Sequence, residues 1–261
     1  MRHALLLTMF VSALGLFAMS QDSVTITSDP KDLSRPVSTL VDQIRKREKI
    51  SITYEDPRYS NSADIEDVTT EVSKASALEK TYGPRILVPK GRSITFVYAS
   101  RDAQTPEAAK RTIDRMLREY ASLGGPVFAV TRDGVRLHVV PSEVLDASGD
   151  RVRQDSVLEA VISVPPGPRD GGQLLQAICD QIQMQTGYEI GIGPSVPGNN
   201  LVRYKTTQGI EDETARAAIS TLLDRSSFAG AYDWDLYYGP DLKTYMLNFS
   251  YLGLAATPVA Q

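Results

Sequence analysis

The chain has 261 residues, with 28 basic against 32 acidic side chains for a net charge of −4, 42% apolar residues and a single cysteine, Cys179. This mild acidity argues against nucleic acid or an anionic membrane surface as partner, and one cysteine excludes an internal disulfide. At about 100–200 residues per domain, the length allows one large or two small domains.

Arg2 and His3 precede an apolar run from Ala4 to Ala18, and Ala18-Met19-Ser20 leads into Gln21. That tripartite order reads as a secretory signal peptide over 1–20, cut between Ser20 and Gln21. The run is shorter than the ~20 residues that span a bilayer. No cysteine near the cut offers an acyl anchor, and loss of Arg2 takes the net charge to −5. The expectation is an exported soluble chain, periplasmic or secreted, with no membrane span after the leader is removed.

Beyond the leader the chain repeats itself. Val37, Leu40, Val41 and Ile44 mark one helical face, and Leu175, Ile178, Cys179 and Ile182 mark the same face 138 positions later. The alternating segment Ile50, Ile52, Tyr54 maps by that offset onto Tyr188, Ile190, Ile192, a period of two that predicts a half-buried strand. Farther on, Ala109, Ile113, Met116 and Leu117 match Ala215, Ile219, Leu222 and Leu223 at an offset of 106. The first of these helices has Thr105 as its cap, Pro106 at the first position and Glu107 in the first turn. A hairpin follows each helix. Phe128, Ala129, Val130 turn at Asp133-Gly134 into Leu137, Val139, and Trp234, Leu236 turn at Gly239-Pro240 into Tyr245, Leu247.

The two offsets differ by 32, which places an insertion in the first copy near 55–92. It holds Asp64, Glu66 and Asp67, an amphipathic piece from Val68 to Leu78, Tyr82-Gly83-Pro84 and the run Ile86-Leu87-Val88. Such insertions usually lie at the surface and often carry function. The predicted organisation is a first α+β module over 21–145, a linker over 146–160, a second module over 161–252 and a flexible tail over 253–261.

From Ile162 to Phe249 the order is Ile162-Ser163-Val164-Pro165, a helix with Leu174 and Ile178, Gln185-Thr186-Gly187-Tyr188-Glu189-Ile190, Leu201-Val202, a second helix and a hairpin. This half resembles the short N-terminal domain of secretins and TonB-dependent receptors, a βαβ-βαββ module of the periplasm. The first half looks like a diverged copy with an insertion. The resemblance implies a protein-interaction module that performs no chemistry. Unlike in those families, no barrel or secretin pore is expected after the module, so their transport roles are not expected here.

Residues that carry chemistry are sparse. Outside the leader the only histidine is His138, which alternates with Leu137 and Val139 and is expected to face solvent. No second histidine or cysteine pair completes a zinc set, and no Gly-x-Ser-x-Gly elbow is present. Cys179 replaces Val41 on the apolar helical face and reads as a small buried hydrophobe. Asp64, Glu66 and Asp67 lack the order of a calcium loop, and Glu211, Asp212 and Glu213 sit where a helix begins. Gly191-Ile192-Gly193-Pro194 matches no phosphate loop. The densest aromatic group includes Tyr232, Tyr237, Tyr238 and Tyr245, an interaction surface if the second face of its hairpin lacks a covering helix.

The fold class expected is α+β, two related βαβ-βαββ modules with helices packed on small mixed or antiparallel sheets. The function expected is non-enzymatic, a protein-interaction or envelope-assembly factor with no catalytic residues, no metal and no cofactor. Its partners would be envelope proteins, met by strand addition at sheet edges, with the last hairpin and the insertion as contact surfaces. The alternative is a carboxylate-dependent hydrolase using Asp64, Glu66 or Glu189 in a cleft between the modules. A self-associating structural part of the envelope is a third reading.

Overall fold

The computed structural model describes residues 23–28, 35–70, 86–196, 198–226 and 232–252. Ser20 and Gln21, the centre of the insertion and the tail 253–261 lie outside the described residues.

The first half runs β1 (Ser23–Ser28), α1 (Pro36–Glu48), β2 (Ile52–Glu55), β3 (Ile65–Asp67), β4 (Leu87–Pro89), β5 (Ile94–Ala99), α2 (Pro106–Ser122), β6 (Val127–Asp133), β7 (Arg136–Leu145) and β8 (Arg151–Arg153). The second runs β9 (Val161–Val164), β10 (Arg169–Asp170), α3 (Gly171–Thr186), β11 (Ile190–Ile192), α4 (Gly198–Arg203), β12 (Lys205–Thr206), β13 (Ile210–Thr214), α5 (Ala215–Arg225), β14 (Tyr232–Gly239) and β15 (Thr244–Tyr251). With small sheets, mostly antiparallel or mixed, the class is α+β.

Strand pairing repeats with the sequence. β1 lies antiparallel to β5 as β9 does to β13, and β2 runs parallel to β7 as β11 does to β15. Tyr54 faces Val139 in one copy and Ile192 faces Leu247 in the other. The local causes are those of the sequence. Thr105 caps α2 by accepting from the Ala108 amide, with Pro106 in the first turn. Asp170 and Gln173 form a reciprocal capping box at the start of α3. Both first helices end in a left-handed residue, Gly187 at φ 75° and its counterpart Lys49 at φ 57°. Asp133 and Arg136 close the β6–β7 hairpin, and Gly134, at φ 56°, supplies the positive angle of a type II′ turn.

One stretch differs from its sequence reading. Residues 146–160, expected as a linker, contribute β8, which extends β7, and bury Val157 and Leu158 in the second core. Leu201 lies in the short helix α4 and packs into the same core. Ile86-Leu87-Val88 supplies most of β4, which pairs with β3 from the start of the insertion.

Each half has its own apolar cluster. The first gathers α1, α2, β1 and β5 on one face of β2, β6 and β7. The second gathers α3, α5 and β9 on one face of β11, β14 and β15. The sheets, however, are not separate. β14 runs parallel to β2, and one seven-stranded sheet crosses both halves in the order β11-β15-β14-β2-β7-β6, with β8 on β7.

Side-chain alternation then sets the layers. Ile52 and Tyr54 of β2 enter the first core, so Thr53 and Glu55 face the opposite side, where Glu55 meets Arg216 of α5. Trp234, Leu236 and Tyr238 of β14 enter the second core, so Asp235 and Tyr237 face α1, where they meet Arg45 and Ser38. The helices of the two halves therefore lie on opposite faces of one sheet. Near the seam, each half covers the back of the other.

Candidate interaction site: the seam and the free edges

The seam between β2 and β14 concentrates buried charge. Arg45, 1% exposed, donates to Asp235 Oδ2 at 2.9 Å and Oδ1 at 3.1 Å, and to the Ile52 carbonyl at 2.9 Å. Asp233, fully buried, accepts from the Ile52 amide at 2.7 Å and from the Ser51 hydroxyl, with Arg136 at 3.4 Å. Asp56 accepts from Arg35, from the Tyr54 hydroxyl at 2.6 Å and from the Tyr238 amide at 2.9 Å. Glu55 takes Arg216 at 2.6 and 3.0 Å.

These contacts replace ladder bonds that a short strand cannot make. Ile52 lies below the paired part of β14, and its main-chain N–H and C=O are satisfied by Asp233 and Arg45 instead. Direct main-chain pairing resumes where the Asp56 amide donates to the Leu236 carbonyl at 2.8 Å. Burial raises the Asp56 and Asp233 carboxyls above the usual carboxylate range, against the lowering pull of Arg35 on the first and of Ser51, Arg45 and Arg136 on the second. Burial also works against the charge of Arg45, but Asp235 outweighs it and holds the guanidinium protonated.

His138 belongs to the same region, and its expected solvent-facing position is corrected. It is 2% exposed, shares a 2.7 Å hydrogen bond with Thr53 through Nδ1, and stacks 6.0 Å from Trp234. Its face of β7 would be open in an isolated first half, but Trp234 and α5 cover it. Burial pushes its pKa down to about 3, helped by Arg216 and Arg136.

The tyrosine surface is corrected for the same reason. Tyr238 and Tyr245 are buried in the second core with ring centres 4.9 Å apart, on the strand face that carries Trp234 and Leu236. Tyr237 does occupy the second face, but α1 covers it. Its hydroxyl lies 3.0 Å from Ser38 Oγ and its ring 4.6 Å from the Arg35 guanidinium. Tyr232 packs at the margin of the second core with its ring 5.3 Å from Tyr251. The last hairpin is flanked on both sides, β14 by β2 at Asp235 and Leu236 and β15 by β11 from Tyr245 to Leu247.

Carboxylates proposed for hydrolysis are not brought together. Asp64 is buried against Arg92 at 3.1 Å, while Glu66 and Glu189 are exposed. No group of three or more His, Cys, Asp or Glu side chains suited to a metal ion forms among the described residues. Cys179 is buried, and burial raises its thiol to about 12. Glu211 and Asp212 lie in β13, where Asp212 bonds Ser163.

Within the seven-stranded sheet, the outer edge of β6 remains open among the described residues. In an antiparallel hairpin closed by the Asp133–Arg136 pair, the main-chain groups of alternate residues point away from the partner strand. Here they belong to Phe128, Val130 and Arg132, and no strand among the described residues pairs with them. Their counterparts in β14 are Trp234, Leu236 and Tyr238, whose main-chain groups serve the seam. The other sheet edge, β11, has three residues and ends before Pro194, which has no N–H to donate. Beside β6, on the back of the sheet, a groove of about 370 Å³ is floored by Ala129, Val140 and Pro141 and rimmed by Glu143, Arg153 and Asp155.

The seam residues were missed because Asp233 and Asp235 alternate with Trp234 and Leu236, as solvent-facing residues of a hairpin do. The only sequence signal was Arg45, set beside Ile44 on an otherwise apolar helical flank. Comparison of the chain with protein-family models, with curated proteins and with solved structures finds no match.

Proposed function

We propose that this chain is an exported, non-enzymatic interaction module that takes an extended segment of an envelope protein as an added strand along β6. The observation that carries this reading is the seam itself. The two halves join by strand pairing at β14, and β6, the counterpart of β14, offers the same alternating main-chain groups without a partner strand. The groove over Ala129 and Val140 would receive alternate side chains of the added segment.

Resemblance of the second half to the short N-terminal domain of secretins and TonB-dependent receptors favours partner binding, and the leader over 1–20 favours a periplasmic or secreted location. Less supports a hydrolase. The buried carboxylates at the seam each hold an arginine, and Glu66 and Glu189 lie exposed.

The test is affinity capture from an envelope extract with the chain from Gln21 and with its Arg132→Pro variant. That substitution removes an outward-facing amide at an exposed position and obstructs an approaching strand. A protein retained by the first and lost from the second supports strand addition at β6. Equal retention by both overturns it, and bound glycan or peptide fragments without a protein partner would revive the hydrolase.

A further inference from the structure

A second feature, independent of β6, lies on the far side of the first half. Arg111, Arg115 and Arg118 follow i, i+4, i+7 spacing on the outer face of α2, and Arg101 reaches the same place from the turn before the helix. Together they line a cavity of about 340 Å³, in which Asp102 is the only acidic side chain. All four arginines are exposed.

Several other helical charges of this chain are paired. Lys110 meets Asp114 at 2.8 Å, Lys46 meets Asp42 at 2.7 Å, and Glu107 meets Arg132. Arg111 and Arg118 make no ion pair or hydrogen bond among the described residues, although Arg111 acts on Glu107 one turn back, and Arg101 approaches Asp102 only to 3.9 Å. Arg115 is held in place, its guanidinium 4.9 Å over the Phe96 ring and one amino group donating to the Val97 carbonyl at 3.0 Å. Like charges at i, i+4 disfavour a helix. Three arginines on one helical face with a fourth beside them, in a chain of net charge −4, need a reason.

The internal repeat shows that the fold is not that reason. The counterparts of Arg111, Arg115 and Arg118 on α5 are Ala217, Thr221 and Asp224, and the turn that carries Arg101 has no counterpart, because α5 follows β13 directly. The same helix in the same topological position carries no positive charge there. We infer that the cavity beside α2 is a binding site for a phosphate-bearing ligand, gripped by Arg101, Arg111, Arg115 and Arg118. Guanidinium forks bind phosphate oxygens in pairs, and a concave site with four of them fits a compact multiply charged group better than an extended acidic chain.

Titration calorimetry of the full chain with inorganic pyrophosphate at low salt tests this, beside the variant R111Q/R118Q. Both substituted side chains are exposed and make no hydrogen bond or ion pair among the described residues, so the fold should survive, and unchanged thermal unfolding will verify it. Pyrophosphate binding that weakens by about tenfold or more in the variant is expected, since each charge-assisted bond lost is worth about 1.5–3 kcal/mol. A parallel flotation assay compares phosphatidylglycerol with phosphatidylcholine vesicles. Variant-sensitive binding of pyrophosphate alone assigns a soluble phosphate, and variant-sensitive retention on phosphatidylglycerol assigns a lipid headgroup. No binding of either at about 1 mM phosphate overturns the inference. So does binding that the variant leaves unchanged, or poly-glutamate binding as tightly as pyrophosphate.

Discussion

At the seam, β14 meets β2 across Asp233, Asp235, Arg45 and Asp56, all buried and all paired. At the free edges, the counterparts of those residues are Val127 and Ala129 on β6, Gln183 on α3 and Pro194 after β11. The backbone geometry is duplicated, but the charges are not. Main-chain hydrogen bonds pair any edge with any other, so they give the halves no means of choosing β2 with β14 over β2 with β6. Buried ion pairs are poor sources of net stability, yet they penalise a wrong register heavily because each mismatch strands a charge. The seam charges thus select a partner edge. Pro194 blunts β11, and of the two ends of the seven-stranded sheet among the described residues β6 is the one that keeps a long edge without either device.

The largest effect should come from breaking that selection. Arg45→Met leaves Asp235 buried without its cation and is expected to cost about 3–5 kcal/mol. Gln183→Met, at the counterpart position on α3, is exposed and should stay within about 0.5 kcal/mol. Urea unfolding of both variants measures the difference. Equal losses would mean that the repeat, rather than the seam, sets the sensitivity.

His138 sharpens the comparison through pH. Its pKa is lowered to about 3 when folded, against about 6.5 in the unfolded chain, so the unfolded state takes up the proton first. Stability from this group is full above pH 6.5 and falls as pH drops towards 3, by up to about 1.4 kcal/mol per pH unit. Asp56 and Asp233 act in the opposite sense, because burial raises their carboxyls and the folded state takes up their protons first. Unfolding midpoints between pH 7 and 4 should therefore fall less steeply in His138→Gln than in the parent. Parallel curves would show that the histidine is not buried neutral.

A smaller gain is expected at the first helix. Lys49 occupies the left-handed cap that Gly187 fills in the second copy, at a cost of about 1 kcal/mol for a residue with a side chain. Lys49→Gly should raise the unfolding free energy by about that amount, less the added freedom of the unfolded glycine. No gain would mean that the 3.4 Å contact from Lys49 Nζ to the Leu252 carbonyl offsets the strain.

Legibility in the sequence followed from periodicity. Helical faces such as Val37, Leu40, Val41, Ile44 and turn signals such as Asp133-Gly134 are local, so they were readable, and the repeat placed them in order. The seam was not readable. Whether Asp235 and Tyr237 face water or α1 depends on a parallel pairing between strands about 180 residues apart, and no local pattern encodes it. The same covering buried His138, whose alternation with Leu137 and Val139 fits an open face equally well. The arginines of α2 were visible as letters, but only a helix fixed in place shows that Arg101 joins Arg111, Arg115 and Arg118 around one cavity.

The smallest change in stability is expected at the edge itself. Arg132 is exposed, its amide points away from β7, and its side chain reaches Glu107 and the Gly134 carbonyl at the surface. Arg132→Pro therefore removes no ladder bond and should shift the unfolding free energy by less than about 1 kcal/mol. Tyr238, its counterpart in β14, donates its amide to Asp56, so proline there removes a buried bond and should cost clearly more. Equilibrium unfolding of the two variants separates an edge that the fold uses from one that it leaves open. If Arg132→Pro destabilises as much as Tyr238→Pro, then β6 is already satisfied within the chain, and strand addition there loses its physical basis.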